Sequence, residues 1–220
     1  MTDATTMHPL DADAVLWRDG IDGRAGSDLL VVMHGIGSHE GDLFALAPFL
    51  PEHLTIAALR APLRYGPGHA WYAAGSQMST DATLIDASAR GVLAWLDGLE
   101  DEFRSVSLLG FSQGGAMTLQ LLRLAPERFA AVVQLSGFVF RGASEGDAAL
   151  AAAEPRVPAF QAWGTQDDII ARDATSRTVA WMREHTDVEA HEYAMSHSIV
   201  QEELRDVAAF LERVLPASGR

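Results

Sequence analysis

The chain has 220 residues, 48% of them hydrophobic, and a formal net charge of −14. That length and apolar content suit one domain with a sizeable core, and the negative charge sets aside nucleic acid and anionic membrane surfaces as partners. Cysteine is absent, which excludes disulfides, thiolate metal sites and a cysteine nucleophile and fits a reducing, cytoplasmic setting.

The opening residues MTDATTMHPLDADA hold no basic region and no apolar run, so a signal peptide is not expected. Residues 1–12 read as a poorly ordered tail of a single domain spanning 1–220. No apolar stretch approaches the roughly 18 residues of a membrane span. From there, short apolar runs alternate with helical patterns. Strands are expected at 13–17, 28–33, 54–59, 105–110, 131–136, 158–163 and 188–194, and helices at 80–98, 114–125, 171–185 and 199–213. In the last of these, Leu204, Val207, Phe210 and Leu211 continue a stripe begun by Ile199 and Val200. Such alternation predicts a mostly parallel sheet of about seven strands, flanked by helices on both faces. Residues 143–154 read as a surface helix or loop. The segment 60–79 is too long for a plain connection; its Trp71 and Tyr72 among glycines and prolines suggest an apolar flap and a wall of a substrate pocket. Trp17, Trp95 and Trp181 fall within apolar patterns and are expected in the core, whereas His39, His69, His185 and His191 are expected at the surface.

The expected strand at 105–110 runs straight into Gly110-Phe111-Ser112-Gln113-Gly114, which fits G-x-S-x-G. In a parallel sheet that pattern makes a nucleophile elbow: strand, sharp turn, helix, with the serine at the apex. A glycine-rich turn binding a phosphate fits the same five residues. What separates the two readings lies downstream. A serine nucleophile needs a base and a group to orient it. Gly164-Thr165-Gln166-Asp167-Asp168 follows one expected strand, and Met195-Ser196-His197-Ser198 follows another. Serine, acid and histidine therefore occur in the chain order of this fold class, each just past a strand end, where open α/β sheets build their sites. Upstream, a strand runs into His34-Gly35-Ile36-Gly37. The backbone N–H groups of Ile36 and Gln113 are the expected oxyanion hole. His34 precedes the serine and reads as a structural histidine rather than the base. His34 and His39 stand five apart in a loop, and a metal site there would want a third ligand such as Glu40 or Asp42. Neither a metal nor an organic cofactor is expected.

These residues together resemble the phospholipase/carboxylesterase family of α/β-hydrolases, which includes acyl-protein thioesterases. The resemblance rests on HGIG, GFSQGG, Leu135-Ser136-Gly137-Phe138, Gly164-Thr165-Gln166-Asp167 and Tyr193-Ala194-Met195-Ser196-His197. It implies the α/β-hydrolase fold and hydrolysis of carboxylic esters or thioesters by Ser112, Asp167 and His197 through an acyl-enzyme. It also selects Asp167 over Asp168, by its spacing from Gly164. The chain departs from the family in having Ile169-Ile170-Ala171 after the acid, Trp163 before Gly164, and Ser38-His39-Glu40 after the oxyanion stretch. The expected partner is a small ester or acyl thioester; a homodimer is left open. A binding protein on the same fold, or a cofactor-free perhydrolase using the same triad, are the alternatives.

Overall fold

The computed structural model describes residues 7–73 and 82–217. Nine strands and six α-helices are defined within them: β1 (Leu16–Arg18), β2 (Asp28–Met33), α1 (Glu40–Phe44), β3 (Thr55–Leu59), β4 (Leu63–Tyr65), β5 (Gly68–Ala70), α2 (Thr83–Asp97), β6 (Ser105–Phe111), α3 (Gln113–Leu124), β7 (Val132–Leu135), α4 (Glu145–Ala152), β8 (Pro158–Gly164), α5 (Arg172–His185), β9 (Asp187–Tyr193) and α6 (Gln201–Val214). Seven strands form one sheet in the order β1-β3-β2-β6-β7-β8-β9. Only β1 runs antiparallel to its neighbour; every later pair is parallel. This is the doubly covered sheet expected from the alternating pattern.

The strands sort their side chains residue by residue. On β2, Leu29, Val31 and Met33 join one core cluster, while Leu30 and Val32 join the other. The first cluster takes Ile85, Ala89 and Val92 of α2, Met117 and Leu121 of α3, Leu150 of α4 and Met182 of α5. The second takes Leu43 of α1 and Leu204, Val207, Phe210 and Leu211 of α6. Because both faces are covered, β2 and β3 are buried at every position, and their sequences are continuous apolar runs rather than alternations. The α6 stripe contributes about 1.5–3 kcal/mol for each large side chain it removes from water. Helix α3 is buried from Gln113 to Arg123, which accounts for its glycines and apolar residues on every side.

Several expectations need adjusting. Ile199 and Val200 precede α6 rather than begin it, with Val200 at its N-cap. Residues 1–6 of the expected tail lie outside the described residues. At His8 the chain is tied to α2, its N–H donating to Ala87 O at 3.0 Å. Of the histidines expected at the surface, His185 is buried: its ring stacks on Trp181 at 4.5 Å, and Nδ1–H donates to Trp181 O. The expected flap at 60–79 is described only over residues 60–73. β4 and β5 pair as a short hairpin, while residues 74–79 lie outside the described residues. Among the described residues no helix is long and apolar enough to cross a membrane.

Candidate active site

β6 ends at Phe111 and α3 starts at Gln113, so the whole reversal falls on Ser112. Its backbone sits at φ 55° and ψ −115°, a conformation that costs a non-glycine residue strain of order 1–3 kcal/mol. The turn is possible because Gly110 and Gly114, two residues to either side, have no side chains. A Cβ on Gly114 would stand 1.9 Å from Met33 O, and one on Gly110 would stand 2.2 Å from Gly114 O. Backbone bonds hold the apex in place, from Ser112 N–H to Leu135 O (2.8 Å) and from Ala116 N–H to Ser112 O (3.0 Å). The serine hydroxyl makes no capping bond to α3 and is therefore left for another partner.

That partner is His197. Its Nε2 lies 2.8 Å from Ser112 Oγ, and its Nδ1 lies 2.7 Å from Asp167 Oδ2. An ionised carboxylate only accepts, so Nδ1 carries the proton and Nε2 presents its lone pair to the serine. Asp167 is itself held: Oδ1 accepts from Ile169 N–H (2.9 Å) and Ile170 N–H (3.0 Å). The three side chains are well shielded, Ser112 being 4% exposed. Phe111 flanks the imidazole at 4.8 Å between ring centroids. The loops carrying acid and base are joined through their backbones, Thr165 N–H donating to Tyr193 O (2.9 Å) and Gln166 N–H to Met195 O (3.0 Å). Asp167 is thus the acidic residue beside the histidine, and Asp168 is exposed.

On the other side lies His34-Gly35-Ile36-Gly37. A Cβ on Gly35 would be 3.4 Å from Ser112 Cβ, so this loop runs alongside the serine. Gly37 N–H donates to His69 O and His69 N–H to Ser38 O, both at 2.8 Å, tying the loop to the β4–β5 hairpin. These bonds leave Ile36 N–H without a partner among the described residues. Gln113 opens α3, and the first N–H groups of a helix have no acceptor within it. His34 is structural, as its position before the serine implied: it is buried, Nδ1–H donates to Gly35 O (2.7 Å), and Nε2 accepts from Ala61 N–H (3.2 Å). Burial pushes its pKa below the ordinary value, consistent with a neutral ring that accepts at Nε2. His39 caps α1 by accepting from Gly41 N–H. Glu40 is paired with the Arg60 guanidinium, which holds its carboxyl down to about 2. The side chains weighed as a metal set are therefore committed to other partners, and the described residues hold no cluster of three or more metal-ligating side chains.

Trp71 and Tyr72, expected to line a pocket, are instead in the core at 0% and 1% exposure. Trp71 is bonded at every polar atom. Its N–H donates to Gln113 Oε1 (2.7 Å), its indole Nε1–H donates to His34 O (2.8 Å), and its carbonyl accepts from Ser88 Oγ. Gln113 Nε2–H completes the set by donating to Tyr72 O (2.9 Å). Sequence reasoning noticed these aromatics for their place in a long strap. The glutamine side chain, Ser88 and the Glu40–Arg60 pair carried no readable signal, because each meets its partner only in the folded chain.

The sequence model of the phospholipase/carboxylesterase family matches residues 22–215. The chain belongs to this family. It is 36% identical over 152 residues to acyl-protein thioesterase 1 of Mycosarcoma maydis, a match covering 66% of this chain and 63% of that protein. Two solved structures share the α/β-hydrolase fold. Esterase PE8 superimposes with a TM-score of 0.74 at 24% identity, covering 92% of this chain and 99% of its own. The carboxylesterase of Bacillus cereus superimposes with a TM-score of 0.76 at 16% identity, covering 91% and 93%. At those identities the two structures speak for the fold alone. The family and fold expected from HGIG, GFSQGG and the late MSHS are those found.

Proposed function

We propose that this member of the family is a serine hydrolase that cleaves carboxylic esters or thioesters, with Ser112 as nucleophile, His197 as base and Asp167 as its orienting acid. The observation that carries the reading is the unbroken hydrogen-bond chain from Ser112 Oγ through His197 to Asp167, with the serine at the strained apex of the turn. The family match supports the same class of reaction. Ser112 Oγ attacks the carbonyl carbon while His197 Nε2 takes its proton. Asp167 keeps the proton on Nδ1 and stabilises the imidazolium. The oxyanion is received by the N–H groups of Ile36 and Gln113, at the positive end of α3. The imidazolium then protonates the departing alkoxide or thiolate. Water attacks the acyl-enzyme with the same base, releasing the acid and restoring the serine. Each turnover consumes one ester or thioester and one water, releases the acid and the alcohol or thiol, and needs no cofactor.

Substrates are small or acyl-chain esters and thioesters, which fits the acidic chain poorly disposed toward nucleic acid. The cysteine-free sequence supports a cytoplasmic setting. The decisive test compares wild type and Ser112→Ala on p-nitrophenyl esters and acyl-CoA thioesters, with a fluorophosphonate as active-site label. The expected result is turnover of one or both substrate classes, labelling of wild type only, and a loss on substitution of about 10⁶-fold. Near-normal turnover by Ser112→Ala would remove the nucleophile. Absence of both turnover and labelling in wild type would favour a binding protein on this fold.

A further inference from the structure

We propose that Trp71 is a positioning residue that sets the separation of the two oxyanion donors; the proposal rests on the serine-hydrolase reading above. The two donors belong to segments 77 residues apart, Ile36 in the loop after β2 and Gln113 at the start of α3. Trp71 is bonded to both. Its indole Nε1–H holds His34 O, two residues before Ile36, and its backbone N–H holds the side chain of Gln113 itself. The indole lies 5.6 Å from the His34 ring between centroids, and His34 is in turn fixed to Gly35 O and Ala61 N–H. The bridge is anchored from behind by Ser88 Oγ on Trp71 O and by Gln113 Nε2–H on Tyr72 O.

The tie also reaches the elbow. His34 O faces Gly114, where a Cβ would stand only 2.7 Å from it. The indole therefore fixes a carbonyl lying directly against the turn that aims Ser112. Trp71 is completely buried, so it does not meet substrate and acts only through the segments it joins. Oxyanion stabilisation depends on donors 2.7–3.1 Å from where the charge develops, and small misplacements are costly. A residue bonded to both donor segments governs that geometry without touching the acyl group. This separates the role from a pocket wall, which would alter substrate binding and acyl-length preference.

The test is Trp71→Phe, which keeps an aromatic ring but removes the indole N–H, alongside Gln113→Met, which keeps the backbone N–H but removes both amide bonds to 71–72. Folding is monitored by circular dichroism. The readouts are kcat and KM over p-nitrophenyl acetate, butyrate and octanoate, and Ki for an aryl trifluoromethyl ketone, whose serine adduct places an oxyanion in the hole. Each variant is expected to lose about 10-fold in kcat, a fraction of the roughly 10²–10³-fold that follows loss of a whole donor. KM should stay within about twofold for every ester, and Ki should rise by the same factor as kcat/KM falls. An unchanged kcat and Ki in a folded Trp71→Phe overturns the proposal. A KM increase that depends on chain length overturns it in favour of a pocket wall. If Trp71→Phe does not fold, Gln113→Met alone decides between the same outcomes. Failure of the hydrolase reading is recognised separately, because Ser112→Ala would then remain active or wild type would not turn over.

Discussion

The two banks of the site are held in different ways. Around Asp167 and His197 the chain is stitched by its own backbone: Thr165 and Gln166 donate to Tyr193 and Met195, and Asp167 is capped by the N–H groups two and three residues on. Around Ile36 and Gln113, buried side chains from distant segments carry most of the ties, namely His34, Trp71, Ser88 and the Gln113 amide. A backbone tie depends on strand register and on room for two chains to approach. A side-chain tie depends on particular atoms, and its loss leaves a buried donor or acceptor unpaired at about 1–3 kcal/mol. The backbone-held bank should therefore be sensitive to added bulk, and the side-chain-held bank to deleted atoms.

After the loss of the nucleophile, the largest effect expected is at the acid itself. Asp167→Asn should lower kcat by about 10⁴-fold by destabilising the required imidazole tautomer, while Asp168→Asn should stay within about twofold. Steady-state kinetics of the pair decides this, and a larger loss at Asp168 would reverse the assignment.

The next prediction concerns bulk on the backbone-held bank. A Cβ on Gly164 would lie 2.2 Å from Met195 O and 2.6 Å from Ser196 O, and backbone cannot yield there as a flexible side chain could. Gly164→Ala should destabilise by about 3 kcal/mol and displace the His197 loop, so urea midpoint and kcat fall together. A fully active, fully stable variant would show that the close approach is unimportant.

Glu203 is an exception that sharpens the comparison, being a buried side chain on the backbone-held bank. Its Oε2 accepts from Val200 N–H at 3.4 Å, three residues beyond His197. Burial raises its carboxyl to about 7 from an ordinary 4.5. Between those values the folded chain keeps a proton that the unfolded chain has released. Glu203 therefore makes stability fall as pH rises through that window and level off above it. The decline due to this group should be about 3 kcal/mol and should disappear in Glu203→Gln. Urea unfolding of both proteins across pH 5–8 measures it; equal slopes would show that the carboxyl ionises freely.

The smallest effect expected is at the seam between the hairpin and the proposed oxyanion loop. A Cβ on Gly68 would lie 2.1 Å from Gly37 O. Gly68→Ala should loosen the hairpin and lower kcat by about 10-fold through Ile36, a fraction of the loss of a donor. Retained kcat with lowered thermal stability would confine the hairpin to support.

Much of the sheet could be read before the fold was known. Buried parallel strands must be short apolar runs, and DLLVVM, SVSLLG and PAFQAW are such runs between helical patterns. Ser112 is legible because an elbow needs Gly110 and Gly114 around it, and His197 because the proposed serine nucleophile needs a base beyond a later strand end. Trp71 is legible as an aromatic but not in its place: a tryptophan among glycines in a long strap has the same sequence context at a pocket rim and in a core. The burial of His185 is not legible for a related reason: its partner Trp181 lies on the same helix, but what packs over the pair decides whether they are covered.

The sequence by itself determined the strand–helix alternation, the order of serine, acid and histidine, and the loop that runs beside the serine. These depend on residue type and short spacing, which local physics can read. Only the tertiary structure decided that His197 meets Ser112 and Asp167 at hydrogen-bond distance, that the hairpin at 63–70 is sealed to Gly37 and Ser38, and that Trp71 joins His34 to Gln113. Each of these contacts spans tens of residues and forms when the sheet brings strand ends together, so no local pattern in the chain encodes it.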